Sequence, residues 1–220
     1  MTPGNVIWDT EIQIGDYRPV NYDRTFHGPV RLRSALANSY NIPAVQTLRR
    51  VGVDNLLYFL ERFGVRTLGT DASQYGVSLT LGGGDITLLE LTRGYGVFAT
   101  GGSLVPTVSI RCIMNTSNVI LYQYEGGCPR GTQNESTVNV EGYGSQVLDS
   151  RIAYIISNVR GDNGAPPLAM GSNSPLNTGA LQTSVKTGTT DNFRDNWTVG
   201  YTQNVVVGVW VGNSSGAPMA

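Results

Sequence analysis

The chain has 220 residues, of which 40% are hydrophobic and 14% charged, and its formal net charge is -1. That suits one domain with a sizeable core and excludes a disordered chain. The fourteen arginines are scattered, so nothing in the charge predicts nucleic acid as a partner.

No stretch approaches the roughly 18 apolar residues of a membrane span. The opening "MTPGNVIWDT" lacks the charged and apolar regions of a signal peptide. An export signal or membrane anchor would lie outside these residues. The segment through "FHGP" is polar and turn-rich and reads as extended and irregular.

In "PVRLRSALANS" the period changes. Leu32, Ala35, Leu36 and Ser39 fall on one helical face, with Pro29 suited to the helix start. Pro43 biases Ile42 away from helical geometry, so the chain is expected to break there and restart. Ala44, Val45, Leu48 and Val51 line the next helix, with Gly52 as a stop. "VDNLLYFLERFG" is a third helix, ending at Gly64. A glycine-rich turn, "LGGGD", leads into a helix with Asp85 as its expected N-cap.

"VPTVSIRCIM" and "VILYQY" predict a β-hairpin. Residues 126–145 read as polar and irregular. "SRIAYIISNVRG" is a helix with Ile152, Ile155, Ile156 and Val159 on one face. Residues 161–181 read as a loop. "TSVKTGT", "NWTVGYT" and "VVVGVWVG" are strands, the last two joined by a hairpin at Gln203-Asn204. Helices first and an antiparallel sheet after them predict an α+β fold.

The two cysteines, Cys112 and Cys128, either close a loop or stay as free thiols. Asn-x-Ser/Thr sequons begin at Asn115, Asn134, Asn196 and Asn213 and matter only in a glycosylating host. His27, the one histidine, reads as a loop-positioning residue. Trp197 and Trp210 read as packing residues. Asp191 and Asp195 lack the Cys or His partners a metal site would need.

Two short segments stand apart. Lys186 is the only lysine, and it is followed by Thr187, Gly188, Thr189 and Thr190. A cation among hydroxyls and open backbone amides can receive a carboxylate or an oxyanion, and Gly188 lets a ligand approach the strand. Ser39-Tyr40-Asn41 is the only Ser-x-Asn in the chain. Taken alone, it could equally be a small polar residue on a helix followed by a cap.

These two segments, about 145 residues apart, resemble two of the three signature motifs of the penicillin-binding and serine β-lactamase superfamily. Three longer stretches are similar to the transpeptidase domain of bifunctional, class A penicillin-binding proteins. They are "YRPVNYDRTFHGPVRLRSALANSYNIPAV", "GVSLTLGGGDITLLELTRGYGVFATGG" and "KTGTTDNFRDNWTVGYTQNVVVGVWVGN".

The resemblance implies a serine acyl-enzyme that cross-links peptidoglycan stem peptides ending in D-Ala-D-Ala and is acylated by β-lactam antibiotics. No cofactor is implied. On this resemblance Ser39 passes a proton to the leaving nitrogen, and Asn41 holds the substrate amide and a catalytic lysine. Lys186 supplies positive charge, for which arginine's wide fork is unsuited. Thr187 and Thr189 bind the substrate carboxylate, and the Thr189 N–H forms half of an oxyanion hole. Gly188 and Thr190 complete the binding strand.

The third motif, Ser-x-x-Lys, supplies the nucleophile and its base one helical turn apart. It is absent: the sole lysine has Thr183 three residues before it. The 220 residues are therefore expected to be a partial transpeptidase domain. The nucleophile helix, the closing C-terminal helix and a glycosyltransferase half would lie outside them. The expected location is the outer face of the bacterial membrane, by an anchor outside this chain. Alone, the chain is expected to be inactive and prone to aggregate. The competing readings are a non-catalytic stem-peptide or β-lactam binding module, and a β-lactam hydrolase or sensor.

Overall fold

The computed structural model describes residues 1–117, 120–124, 144–161, 178, 181–190 and 193–219. A short antiparallel pair opens the chain, β1 (Val6–Asp9) with β2 (Gly28–Arg31), Ile7 facing Val30. Along β1 the burial alternates, so Ile7 and Asp9 point inward and Val6 and Trp8 outward. Helices α1 (Leu32–Ala37), α2 (Asn41–Val51) and α3 (Val53–Arg62) follow.

Two 3-10 turns, Ala72–Gln74 and Val77–Leu81, lead to α4 (Leu88–Ala99). β3 (Ser103–Leu104) pairs with β6 (Ser145–Gln146). β4 (Cys112–Met114) pairs with β5 (Ile120–Gln123) in the expected hairpin. After α5 (Ser150–Arg160) come β7 (Ser184–Thr189), β8 (Asp195–Tyr201) and β9 (Val206–Gly212). These last three form an antiparallel sheet in sequence order, so the fold is α+β as expected.

Several local expectations are corrected. Pro29 lies in β2, not at a helix start, because β2 runs directly into α1. Helix α1 ends at Ala37, so Ser39 is not on its apolar face. The break falls at Ser39-Tyr40 rather than Ile42, and α2 already includes Asn41, Ile42 and Pro43. Pro43 is tolerated because the N–H groups of a first helical turn lack intrahelical partners anyway. Thr87 caps α4, its hydroxyl accepting from the Glu90 N–H, in place of Asp85. On α5 the buried side chains are Ala153 and Val159, while Ile152 and Ile155 are exposed. Most of the expected polar stretch at 126–145 and of the loop at 161–181 lies outside the described residues.

Two apolar clusters carry the helical half. Phe63, Val97, Val147, Leu148 and Ala153 join α3, α4 and α5, and Leu57, Val65 and Leu68 pack under the 3-10 turns. Each large apolar side chain removed from water stabilises by about 1.5–3 kcal/mol. Helix α4 lies directly on the sheet at Gly208. A Cβ there would come within 2.0 Å of the Thr92 hydroxyl, so glycine is what permits this approach. Gly52, with a positive φ of 89° that glycine adopts readily, separates α2 from α3.

Candidate active site

The Ser39-Tyr40-Asn41 segment is a corner between α1 and α2. Ser39 adopts a left-handed φ of 58°, unusual for a residue with a Cβ. Tyr40 is buried and takes the N-cap position of α2 in extended geometry, but its side chain makes no capping bond. The cap comes from elsewhere in the chain. The Asn21 Oδ1 accepts from the main-chain N–H groups of Asn41, at 2.9 Å, and Ile42, at 3.3 Å. The Asn41 side-chain amide donates to the Val20 carbonyl at 2.8 Å.

Asn21 is held in turn by a buried carboxylate. Its Nδ2 donates to both oxygens of Asp9, at 2.9 and 2.8 Å, and to the Thr25 carbonyl. Asp9 is fully buried and also accepts from the His27 main-chain N–H, while His27 Nδ1 lies 2.6 Å from its Oδ2. The His27 ring stacks on Tyr40 at 4.0 Å and 15°. His27 thus positions the corner. Desolvation, then Asp23 and Asp9, raises the Tyr40 pKa.

The Lys-Thr-Gly-Thr segment occupies β7. Lys186 faces Val199 and Gly188 faces Trp197 across the β7–β8 pair. Among the described residues β7 is an edge strand, with β8 on one side and none on the other, and its Val185 and Thr187 carbonyls accept from Arg160 and Lys186. The Lys186 ammonium donates to the Thr187 carbonyl. Burial, reinforced by the Arg160 cation, lowers its pKa from 10.5 to about 8. A Cβ at Gly188 would meet only the Trp197 Cβ, at 3.7 Å, so packing does not demand glycine there.

The hydroxyls of the strand are not equivalent. Thr190 Oγ1 accepts from the Asp195 N–H at 2.8 Å and closes the turn into β8. Its hydroxyl is therefore committed to the fold rather than free beside the ammonium. Asp195 also accepts from the Trp210 indole at 2.9 Å, and Trp210 meets Trp197 edge-on. Asp191 lies outside the described residues. Among those described, no group of three or more His, Cys, Asp or Glu could hold a metal ion. No described helix is long and apolar enough to cross a membrane.

Sequence reasoning missed Arg160. It ends α5, and its guanidinium donates to the carbonyls of Leu36, at 2.8 Å, Ala37, at 3.5 Å, and Val185. Leu36 and Ala37 lead into the Ser39 corner, and Val185 precedes Lys186. As one of fourteen arginines, at a helix C-terminus where cations are ordinary, it gave no signal. Cys112 is disulfide-bonded, and the chain's other cysteine, Cys128, lies outside the described residues. A groove lined by Val108, Ile110, Ile113, Tyr122 and Tyr124 sits on the β4–β5 hairpin, and no motif residue lines it.

The fold is that of penicillin-binding transpeptidases. It superposes on penicillin-binding protein 1A from Haemophilus influenzae with a TM-score of 0.77 and 26% identity, covering 98% of this chain and 35% of that one. It also matches the fold of Mycobacterium tuberculosis PonA1 in complex with penicillin V, with a TM-score of 0.78 and 20% identity, covering 99% and 57%. In sequence it is 27% identical over 219 residues to penicillin-binding protein 1C of Escherichia coli K12, across 99% of this chain and 24% of that protein.

The family model described as penicillin binding protein transpeptidase domain matches residues 1–216. The chain belongs to that family. It spans about a quarter of the length of the curated relative just named.

Proposed function

We propose that this chain forms the substrate-binding part of a D,D-transpeptidase site that cross-links peptidoglycan stem peptides and is acylated by β-lactams. One observation carries the reading. A carbonyl leading into the Ser-x-Asn corner and the carbonyl preceding Lys186 accept from one guanidinium, which supports a shared site for two segments far apart in sequence.

Ser39, Asn41 and Lys186 are the proposed catalytic groups, and Thr187, Gly188 and Thr189 line the proposed binding strand. Thr190 supports it by shaping the turn. The attacking serine and its lysine base are not among these 220 residues, which hold no Ser-x-x-Lys. In this reading they come from another part of the complete protein, so the 220 residues are a partial transpeptidase domain. The incoming serine oxygen adds to the D-Ala-D-Ala carbonyl. The oxyanion that forms meets the Thr189 N–H. The lysine base takes the serine's proton, Ser39 relays it to the D-alanine nitrogen as the C–N bond breaks, and an amine of a second stem then attacks the acyl ester, breaking its C–O bond and returning a proton to the serine.

Lys186, with a pKa of about 8, is mostly charged near neutrality and pairs with the substrate's terminal carboxylate. Among the described residues β7 is an edge strand, a place where an extended peptide can pair. The complete protein would act on the outer face of a bacterial membrane, anchored by a segment outside this chain, with a glycosyltransferase domain as companion.

The test is labelling of the complete protein by a fluorescent penicillin. We expect covalent labelling, and a loss on the order of 10²–10³ in acylation rate for Lys186→Ala. Reversible binding without a covalent adduct would replace this reading with that of a non-catalytic binding module.

A further inference from the structure

The geometry points to Arg160 as a positioning residue, a brace that fixes the Ser39-Tyr40-Asn41 corner relative to the Lys186-Thr187-Gly188-Thr189 strand. This rests on the function proposed above. Arg160 touches neither Ser39 nor Lys186 by hydrogen bond. It grips the main chain just before each: one terminal nitrogen on Leu36 and Ala37, the other on Val185. The planar fork sets both grips at once, which a single ammonium cannot do.

The surroundings favour a dedicated role. The Arg160 Nε is buried without a hydrogen-bond partner, while both terminal nitrogens hold main-chain carbonyls of described residues. Burial lowers the Arg160 pKa, and the flanking groups are Tyr95 and Tyr201. A cation held this way is expensive to bury, and an apolar side chain could fill the space. What the apolar side chain could not do is hold two loops by their carbonyls.

The rest of α5 reinforces the contact. Arg33 of α1 donates to Asn158 at 3.0 Å, and Ser184 of β7 donates to the Ser157 carbonyl at 2.9 Å. Both attach α5 to the same two elements, but farther from the motif residues. Arg160 also puts a permanent charge near Lys186, whose cross-strand partner Val199 and neighbour Thr187 carry none. That charge works with burial to lower the Lys186 pKa. Removing it raises that pKa.

The experiment uses the complete protein and reads the acylation rate by fluorescent penicillin per folded molecule, as a function of pH. In the wild type the rate is expected to fall as pH rises through about 8, where Lys186 loses its proton. Arg160→Met is expected to lower the rate on the order of 10²-fold and to move that alkaline midpoint upward. Arg160→Lys keeps a charge but loses the fork, so the expected result is a smaller loss with an unmoved midpoint.

Val159→Ala, a neighbouring buried truncation, controls for lost stability. It is expected to lower the melting temperature while leaving rate and midpoint unchanged. A wild-type rate and midpoint in Arg160→Met overturns the brace, as does a loss matched by Val159→Ala. If Arg160→Met does not fold, a wild-type rate in Arg160→Lys overturns it. Should Lys186→Ala also acylate normally, the functional reading itself fails, and the brace with it.

Discussion

A half-buried ammonium on an edge strand reports on its surroundings through its proton. Lys186 titrates near 8 in the folded chain, against 10.5 ordinarily, because burial disfavours its charge and Arg160 adds repulsion. Between those two pH values the unfolded chain binds more protons than the folded one, so stability rises with pH there. The slope approaches about 1.4 kcal/mol per pH unit inside the window. Below it, the charged lysine destabilises the fold by a constant amount. Lys186→Met should abolish the rise, as checked by denaturant midpoints measured across the window.

Lys186 stands out in the sequence because it is the sole lysine and sits in a Thr-Gly-Thr context. Arg160 does not, because its role depends on three carbonyls, two of which belong to residues more than 120 positions away.

Helix α2 shows how an element is placed by residues outside it. Its first N–H groups have no partner within the helix, and the local cap position holds Tyr40, whose side chain makes no such bond. Asn21 supplies the acceptor while Asp9 and Thr25 fix its amide. Removing that side chain orphans two N–H groups and strips donors from a buried carboxylate. Asn21→Ala should cost about 2–4 kcal/mol in a denaturant melt. Asn21→Asp should be worse near neutral pH, because it sets a second carboxylate against buried Asp9. A loss under about 0.5 kcal/mol, typical of a surface change, would contradict this account.

The sequence pattern placed α2 within a few residues. It put the break at Pro43 because a proline's effect on its neighbour is local, whereas the cap acts over twenty residues.

Across the molecule, α4 covers one face of the sheet, and among the described residues the valines of the other face are exposed. Gly208 and Val206 approach α4, while Val207, Val209 and Val211 point away and are about half exposed. A row of exposed valines is an adhesive surface. These 220 residues expressed alone should self-associate, and Val207→Thr with Val209→Thr should lower the mass measured by sedimentation. A wild-type monomer that melts cooperatively would count against this. The double substitution leaves the α4 side of the sheet untouched, so any gain in solubility should come without loss of fold.

By itself the sequence determined the succession of helices and then strands, the hairpin at Gln203-Asn204, and the two motifs whose resemblance named the family. Those features rest on short-range periodicity, turn chemistry and residue type, all contained within a few neighbouring positions. Tertiary structure decided which faces are buried: Ala153 rather than Ile152 on α5, for example, because burial depends on what lies opposite. It also decided that Asn21 caps α2, that Thr190 serves its own turn, and that Arg160 ties the corner to the strand. Each of these is a polar contact between groups brought together only when the chain has folded, and no periodicity in the sequence encodes such a meeting.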